Sequence, residues 1–183
     1  HMNLEPNVKY INVEDIIPNR FQPRLTFDEK ALNELAMSIK ENHYDYCYMS
    51  PLVRCVETAL ILIGDRVEMI PEKRLIERGL GELEGRPGEE YNSYSFWDYD
   101  NNRSDYGVEP IQDVFARCSE FLEYIKEKHA GKDILIVTHS APYRALKHLL
   151  LGHELKGNLL GDEIPNCKLE EFEKKKKKRR LKT

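Results

Sequence analysis

The segment Ile134-Leu135-Ile136-Val137-Thr138-His139-Ser140-Ala141-Pro142 decides the fold. Four consecutive apolar residues are the pattern of a strand covered on both faces. A helical run from about residue 142 to 151 follows at once and is closed by Gly152, a residue that tolerates the left-handed conformation of a helix end. A strand buried on both faces needs helices above and below it. The rest of the chain supplies them.

Working outward, residues 9–13 read as a short strand, and Pro18, Asn19 and Pro23 then enforce an irregular connection. Residues 28–42 are helical, with Leu32, Leu35, Ala36 and Ile39 on one face and Thr26 or Asp28 able to cap the start. Residues 46–49 form a second strand. Ser50-Pro51 suits an N-cap and first turn, so a helix is expected to run to about Ile63 and stop at Gly64-Asp65. Residues 67–70 are a third strand, 79–88 a Gly-rich loop, and 91–106 an aromatic stretch read as a long loop or a few helical turns. The pattern Val114, Cys118, Phe121, Leu122, Ile125 makes 110–128 a helix, and residues 168–172 fit a last edge strand. Strand and helix alternate, which implies a three-layer α/β/α sandwich with a mostly parallel sheet.

Composition limits what such a domain does. The 183 residues are expected to form one domain, of residues 3–173, after a tag-cleavage scar at His1-Met2. Their 28 Lys+Arg and 32 Asp+Glu give a net charge of −4. Residues 174–183 contain eight of those bases and no acid, so the remaining 20 bases face 32 acids and the body carries −12. An acidic body repels phosphate backbones, so sequence-specific DNA binding is not expected, and the basic tail reads as a disordered end. The longest apolar run, residues 59–63, is too short for a membrane span, and no secretory leader is expected. Cys47, Cys55, Cys118 and Cys167 lack metal-ligand spacing and read as buried free thiols of a cytoplasmic protein, with no metal and no cofactor expected.

In open parallel sheets, sites form beyond the carboxyl ends of the strands. The stretches at that edge are 19–24, 50–54, 79–86 and 138–141. His139 follows a buried strand and opens a helix, so imidazole, free N–H groups and helix dipole converge on a place suited to an anion, with Ser140 beside it. Arg54 lies one turn into its helix, where a guanidinium can grip phosphate bidentately. Glu82 sits among glycines that permit close approach, and a carboxyl beside bound phosphate has the raised pKa of a general acid. Each residue has a plainer alternative: a satisfied strand-end histidine, a solvated helix arginine, a turn glutamate.

From about Tyr44 to Phe172 the sequence resembles the histidine phosphatase superfamily, the phosphoglycerate-mutase-like enzymes. The resemblance rests on Ser50-Pro51-Leu52-Val53-Arg54-Cys55-Val56-Glu57-Thr58-Ala59, on Gly81-Glu82-Leu83-Glu84-Gly85-Arg86, and on Gly107-Val108-Glu109 with Arg117. Val137-Thr138-His139-Ser140 and Ile164-Pro165-Asn166-Cys167 complete it. It implies a phosphoglycerate-mutase-like fold and a reaction in which one histidine takes the phosphoryl group. Two arginines and a second histidine hold the oxygens, and an acid protonates the leaving group. Arg54 corresponds to the second arginine, Glu82 to the acid and His139 to the second histidine, while residues 91–106 shape substrate access. The family's nucleophile follows the first strand as Arg-His-Gly. No such tripeptide occurs here, and of His1, His43, His129, His139, His148 and His153 only His139 follows a strand at that edge.

Residues 3–43 resemble something else. The run Tyr10-Ile11-Asn12-Val13-Glu14-Asp15-Ile16-Ile17-Pro18-Asn19-Arg20-Phe21-Gln22-Pro23-Arg24 and the helix after it are similar to the start of the ParB and nucleoid occlusion family. That family's Gly-Glu-Arg-Arg nucleotide motif and helix-turn-helix are absent. The chain therefore reads as an engineered chimera in which a ParB-like β-loop-α unit replaces the phosphatase's own; a natural protein with a diverged N-terminus is the alternative. The expected function is a phosphatase-like domain that holds phosphate or a small phosphomonoester with little or no turnover. Arg20 and Arg24 are placed to make up the missing arginine's charge. The alternatives are a ligand-free scaffold and a nucleic-acid-associated protein acting through the ParB-like segment and tail.

Overall fold

Alternation along β4 (Asp133–Thr138) builds two cores at once, because successive side chains of a strand point to opposite faces. Ile134 and Ile136 join Val8 and Tyr10 of β1 (Asn7–Asn12) and Tyr48 of β2 (Tyr46–Met49) on one face. There α4 (Ile111–Lys128) and α5 (Ser140–Leu151) cover them with Val114, Phe115, Phe121, Tyr143 and Leu146. Leu135 and Val137 join Cys47 and Met49 on the other face, under Leu32, Leu35 and Ile39 of α1 (Glu29–Lys40) and Cys55, Ala59, Leu62 and Ile63 of α2 (Val53–Ile63). Residues 134 to 137 are all 0% exposed. At about 1.5–3 kcal/mol for each large apolar side chain buried, this one strand is a principal source of stability.

The computed structural model describes residues 6–12, 29–87, 94–161 and 170–172. Its sheet has the order β3-β2-β4-β1-β5, with β3 at Glu68–Pro71 and β5 at Glu170–Phe172. β1 to β4 are mutually parallel, and β5 pairs antiparallel with β1 as an edge strand. The result is the expected three-layer α/β/α sandwich. Parallel pairing puts the carboxyl ends of four strands on one edge; Asn12 of β1 stands opposite Thr138 of β4, and Met49 of β2 opposite Val137.

Several boundaries differ from the sequence-based expectation. α2 begins at Val53, and its N-cap is Leu52, with no side-chain cap. The Ser50 hydroxyl, expected to cap this helix, accepts the Leu52 N–H at 3.3 Å and turns inward to His139. α5 starts two residues early, at Ser140, and ends on Gly152 in the left-handed conformation. The Gly-rich loop contains a 3-10 turn at Gly81–Leu83, and the aromatic stretch supplies α3 (Tyr94–Trp97) and a turn at Asp105–Gly107. Gly81 is obligatory: its φ is +52°, and a Cβ there would lie 2.3 Å from the Tyr106 carbonyl oxygen. Cys47, Cys55 and Cys118 are buried free thiols. Among the described residues, no helix is long and apolar enough to cross a membrane. Thr26, Asp28, Arg20, Arg24, Cys167, the Ile164-Pro165-Asn166-Cys167 motif and the basic tail lie outside the described residues.

Candidate active site

The exit of β4 is where the chemistry gathers. His139 is the N-cap of α5, extended in backbone and 0% exposed. Its Nε2 shares a hydrogen bond of 2.7 Å with Ser50 Oγ, at the exit of β2, and lies 3.4 Å from Cys55 Sγ, in the first turn of α2. The β2 exit and the first turn of α2, one short stretch of chain, therefore meet an imidazole more than 80 residues away. Arg54 precedes Cys55 in that turn and is part-buried, so its stem leaves the backbone one residue from the contact with His139. Ser140 opens α5 beside it, where the helix dipole favours an anion.

The segment after β3 closes a third side. Thr138 Oγ1 donates to the Leu75 carbonyl at 2.7 Å and ties residue 75 to the β4 exit. Two residues on, Glu77 Oε1 accepts the Ala141 N–H at 3.2 Å and the Arg78 N–H at 2.9 Å. A carboxylate is thus docked on the first turn of the helix that His139 caps. Glu82, by contrast, is exposed on its 3-10 turn and makes no hydrogen bond or ion pair among the described residues. Of the two glutamates, Glu77 is the one whose contacts lie beside His139. Glu77 lies beyond the carboxyl end of β3, two residues before the Gly-rich stretch that holds Glu82.

Glu109 and Arg117, singled out as a motif, do mechanical work. Arg117 Nε and Nη2 hold the two Glu109 oxygens at 3.1 and 3.0 Å, and Arg117 Nη1 donates to the Arg74 carbonyl at 2.7 Å. Glu109 Oε1 also accepts the Gly79 N–H at 3.2 Å. This partly buried pair clamps the chain on both sides of Glu77, a bidentate geometry stronger than a point contact. Among the described residues, no group of three or more His, Cys, Asp or Glu is arranged to hold a metal ion.

A parallel sheet covered on both faces, with a buried histidine at the exit of its central strand and an arginine-bearing helix start against it, defines a phosphoglycerate-mutase-like α/β protein. The chain belongs to the histidine phosphatase superfamily (branch 1), which it matches over residues 23–183. Phosphoserine phosphatase 1 of Hydrogenobacter thermophilus is 31% identical over 134 residues, 69% of this chain and 64% of that one. The chain thus spans less than two thirds of that relative's length. Among solved structures, Bacillus stearothermophilus YhfR superposes with a TM-score of 0.71 at 22% identity, covering 90% of this chain and 89% of the other, a likeness of fold. The nucleoid occlusion protein of Geobacillus kaustophilus is 58% identical over 33 residues, 18% of this chain and 12% of that protein.

Proposed function

We propose that this chain is a phosphomonoester-binding domain of the phosphatase fold whose turnover is slight or nil. Binding is assigned to Arg54, His139 and Ser140, with the helix dipole of α5 behind them. Arg20 and Arg24 are assigned supporting charge from the segment after β1. Glu77 is the proton donor the contacts favour over Glu82. The observation that carries the reading is the convergence of His139, the first turn of α2 and the Glu77 carboxylate at the exit of β4. The relative named as a phosphoserine phosphatase supports a phosphomonoester as ligand.

Slight turnover follows from the other strand at this edge. β1 ends at Asn12, and the sequence continues Val13-Glu14, without a histidine directly after the strand, where the family carries its nucleophile. Losing a nucleophile costs several orders of magnitude while binding groups leave a remnant over water. The 33-residue likeness to a nucleoid occlusion protein supports reading residues 3–43 as a ParB-like β-loop-α unit in a chimeric domain of residues 3–173, with 174–183 as an appended tail.

Thermal melts with inorganic phosphate and phosphoserine test the pocket, because a ligand of the folded state raises Tm by linkage. A rise with both ligands is expected, together with almost no hydrolysis of p-nitrophenyl phosphate. Unchanged Tm at millimolar ligand would leave a ligand-free scaffold. Brisk hydrolysis with a trapped acid-labile phosphohistidine would overturn the loss of covalent catalysis.

A further inference from the structure

The carboxyl end of α5 brings two histidines together. Gly152 takes the left-handed conformation, so the chain folds back over the last turn. The Gly152 N–H bonds to the Leu149 carbonyl at 3.2 Å, and the His153 N–H to the His148 carbonyl at 3.1 Å. These are the two bonds of a Schellman motif, whose reversal sets the side chain after the glycine against the one five residues before it. That contact is ordinarily hydrophobic. Here two imidazoles make it, with His148 Nδ1 2.9 Å from His153 Nδ1 and the ring centres 5.1 Å apart. The other ring nitrogen of His148, Nε2, lies 2.8 Å from the Leu159 carbonyl oxygen, which only accepts. Nε2 therefore carries the proton, and neutral His148 presents Nδ1 as a bare lone pair. Burial holds the His148 pKa below its ordinary value of 6.5, so the ring is neutral at pH 7.

An imidazole with its far N–H tied to a backbone carbonyl and its near nitrogen bare has the arrangement of a metal ligand. The backbone fixes a second imidazole beside it, so little freedom is lost when both hold one ion. Two nitrogens 2.9 Å apart, at bonds of about 2.0–2.1 Å, subtend about 90° at a shared ion. That is the angle between neighbouring ligands of a square-planar or octahedral centre, whereas a tetrahedral ion needs them about 3.3–3.4 Å apart. His153 is exposed, so its ring turns to aim its lone pair, its proton moves to Nε2, and water fills the remaining positions. Arg144 and Lys147 on the same helix oppose a cation, while the α5 dipole, negative at this end, favours one. Binding here depends on lone-pair donation by nitrogen, which selects late transition metals over calcium or magnesium. The pair also sits at a joint. Besides meeting His148, Leu159 donates its N–H to the Trp97 carbonyl at 2.9 Å, and the Gly157 carbonyl accepts the Tyr99 N–H at 2.8 Å. Residues 153–159 thus strap the end of α3 to the end of α5.

We propose that His148 and His153 form an accessory site for a divalent late transition-metal ion of square-planar or octahedral preference, Ni(II) or Cu(II), which pins the strap to α5. The site lies at the far end of α5 from His139 and stands independently of the phosphomonoester reading. Nickel chloride and zinc chloride are titrated into the full chain by calorimetry, and in parallel into His1→Ala, because an amino-terminal histidine is itself a nickel ligand. One nickel equivalent should persist in His1→Ala, bind at least as tightly as zinc, and raise Tm by linkage. His153→Gln and His148→Gln should each weaken that equivalent at least about tenfold, since a single imidazole lacks the effective concentration of the pair. The glutamine amide at position 148 keeps a donor for the Leu159 carbonyl. In the His1→Ala chain, substoichiometric Cu(II) should broaden the ring resonances of His148 and His153 before those of His43, His129 and His139, a readout that needs no substitution at the site. A nickel equivalent lost in His1→Ala, nickel affinity unchanged in His153→Gln, broadening that begins at another histidine, or zinc binding tighter than nickel overturns the site.

Discussion

β4 has a buried histidine near each end, and the two make a controlled pair. His139, just past its carboxyl end, shares a 2.7 Å hydrogen bond with the hydroxyl of Ser50; His129, four residues before its start, shares one of 2.6 Å with the hydroxyl of Tyr48. Both hydroxyls come from β2 or its exit, and both rings are almost wholly buried. The local chemistry is therefore nearly the same. The surroundings differ: His139 caps the start of α5, with Arg54 and Glu77 arriving from two other strand exits, whereas His129 caps the end of α4 and stacks on Tyr46 at 4.1 Å. A buried histidine bonded to a hydroxyl is thus no sign of function by itself. What distinguishes the site is the helix start and the convergence of parallel strand exits.

The largest expected effect comes from completing the His139 end. β1 lies beside β4 in parallel register, Asn12 against Thr138, and Val13 follows Asn12 in the sequence as His139 follows Thr138. Val13→His should raise hydrolysis of p-nitrophenyl phosphate at least about 100-fold over the parent and yield an acid-labile phosphoenzyme. Adding His139→Ala should abolish the gain, and adding His129→Gln should spare it. A gain equally sensitive to both histidines would break the distinction between the two ends.

The second effect is on folding. The chain that delivers Glu77 is held by the Arg117–Glu109 clamp and by the contact of Gly81 with the 105–107 turn. Gly81→Ala forces a Cβ against three backbone atoms of Tyr106 and Gly107 closer than 2.7 Å, at a backbone angle that already disfavours a side chain. A loss of about 3 kcal/mol or more is expected in denaturant unfolding, since neither contacting strand of backbone can retreat cheaply. Loss below about 1 kcal/mol would show that the turn pair is soft and that the clamp alone positions Glu77.

How far the sequence foretold this arrangement depends on the range of the interaction. The apolar run at 134–137 and the helical spacing of Leu32 to Ile39 and Val114 to Ile125 are local, and the layers they imply are those found. His139 and Arg54 stand where the sequence places them, at a strand exit and in the first turn of a helix. Ser50 was assigned the wrong partner. From the sequence a serine before a proline looks like a helix cap, and only the parallel register of β2 against β4 brings it to an imidazole 89 residues away. Glu82 drew attention by its glycines, yet flanking glycines describe backbone freedom and say nothing about where the carboxylate goes.

The smallest effect is a pH dependence that arises away from the His139 end. Burial, reinforced by the Lys128 charge, holds the His129 pKa below its ordinary value of 6.5, and burial does the same for His148. A histidine with a depressed folded pKa takes up its proton more readily when unfolded. Its stabilising contribution is complete above about pH 6.5 and is lost as pH falls through the folded value. Tm should therefore decline between pH 7 and pH 5 in the absence of ligand, by roughly 2–4 °C for each kcal/mol lost in a chain of this size. His129→Gln keeps a side chain able to pair with the Tyr48 hydroxyl and removes the titration, so it should flatten part of that decline. The phosphate-induced rise in Tm at fixed pH should be the same in His129→Gln as in the parent, because the ligand is assigned to the opposite end of β4. A phosphate response that vanished with His129→Gln would mean that the two ends of the strand are coupled, and the separation of structural from functional histidine would fall.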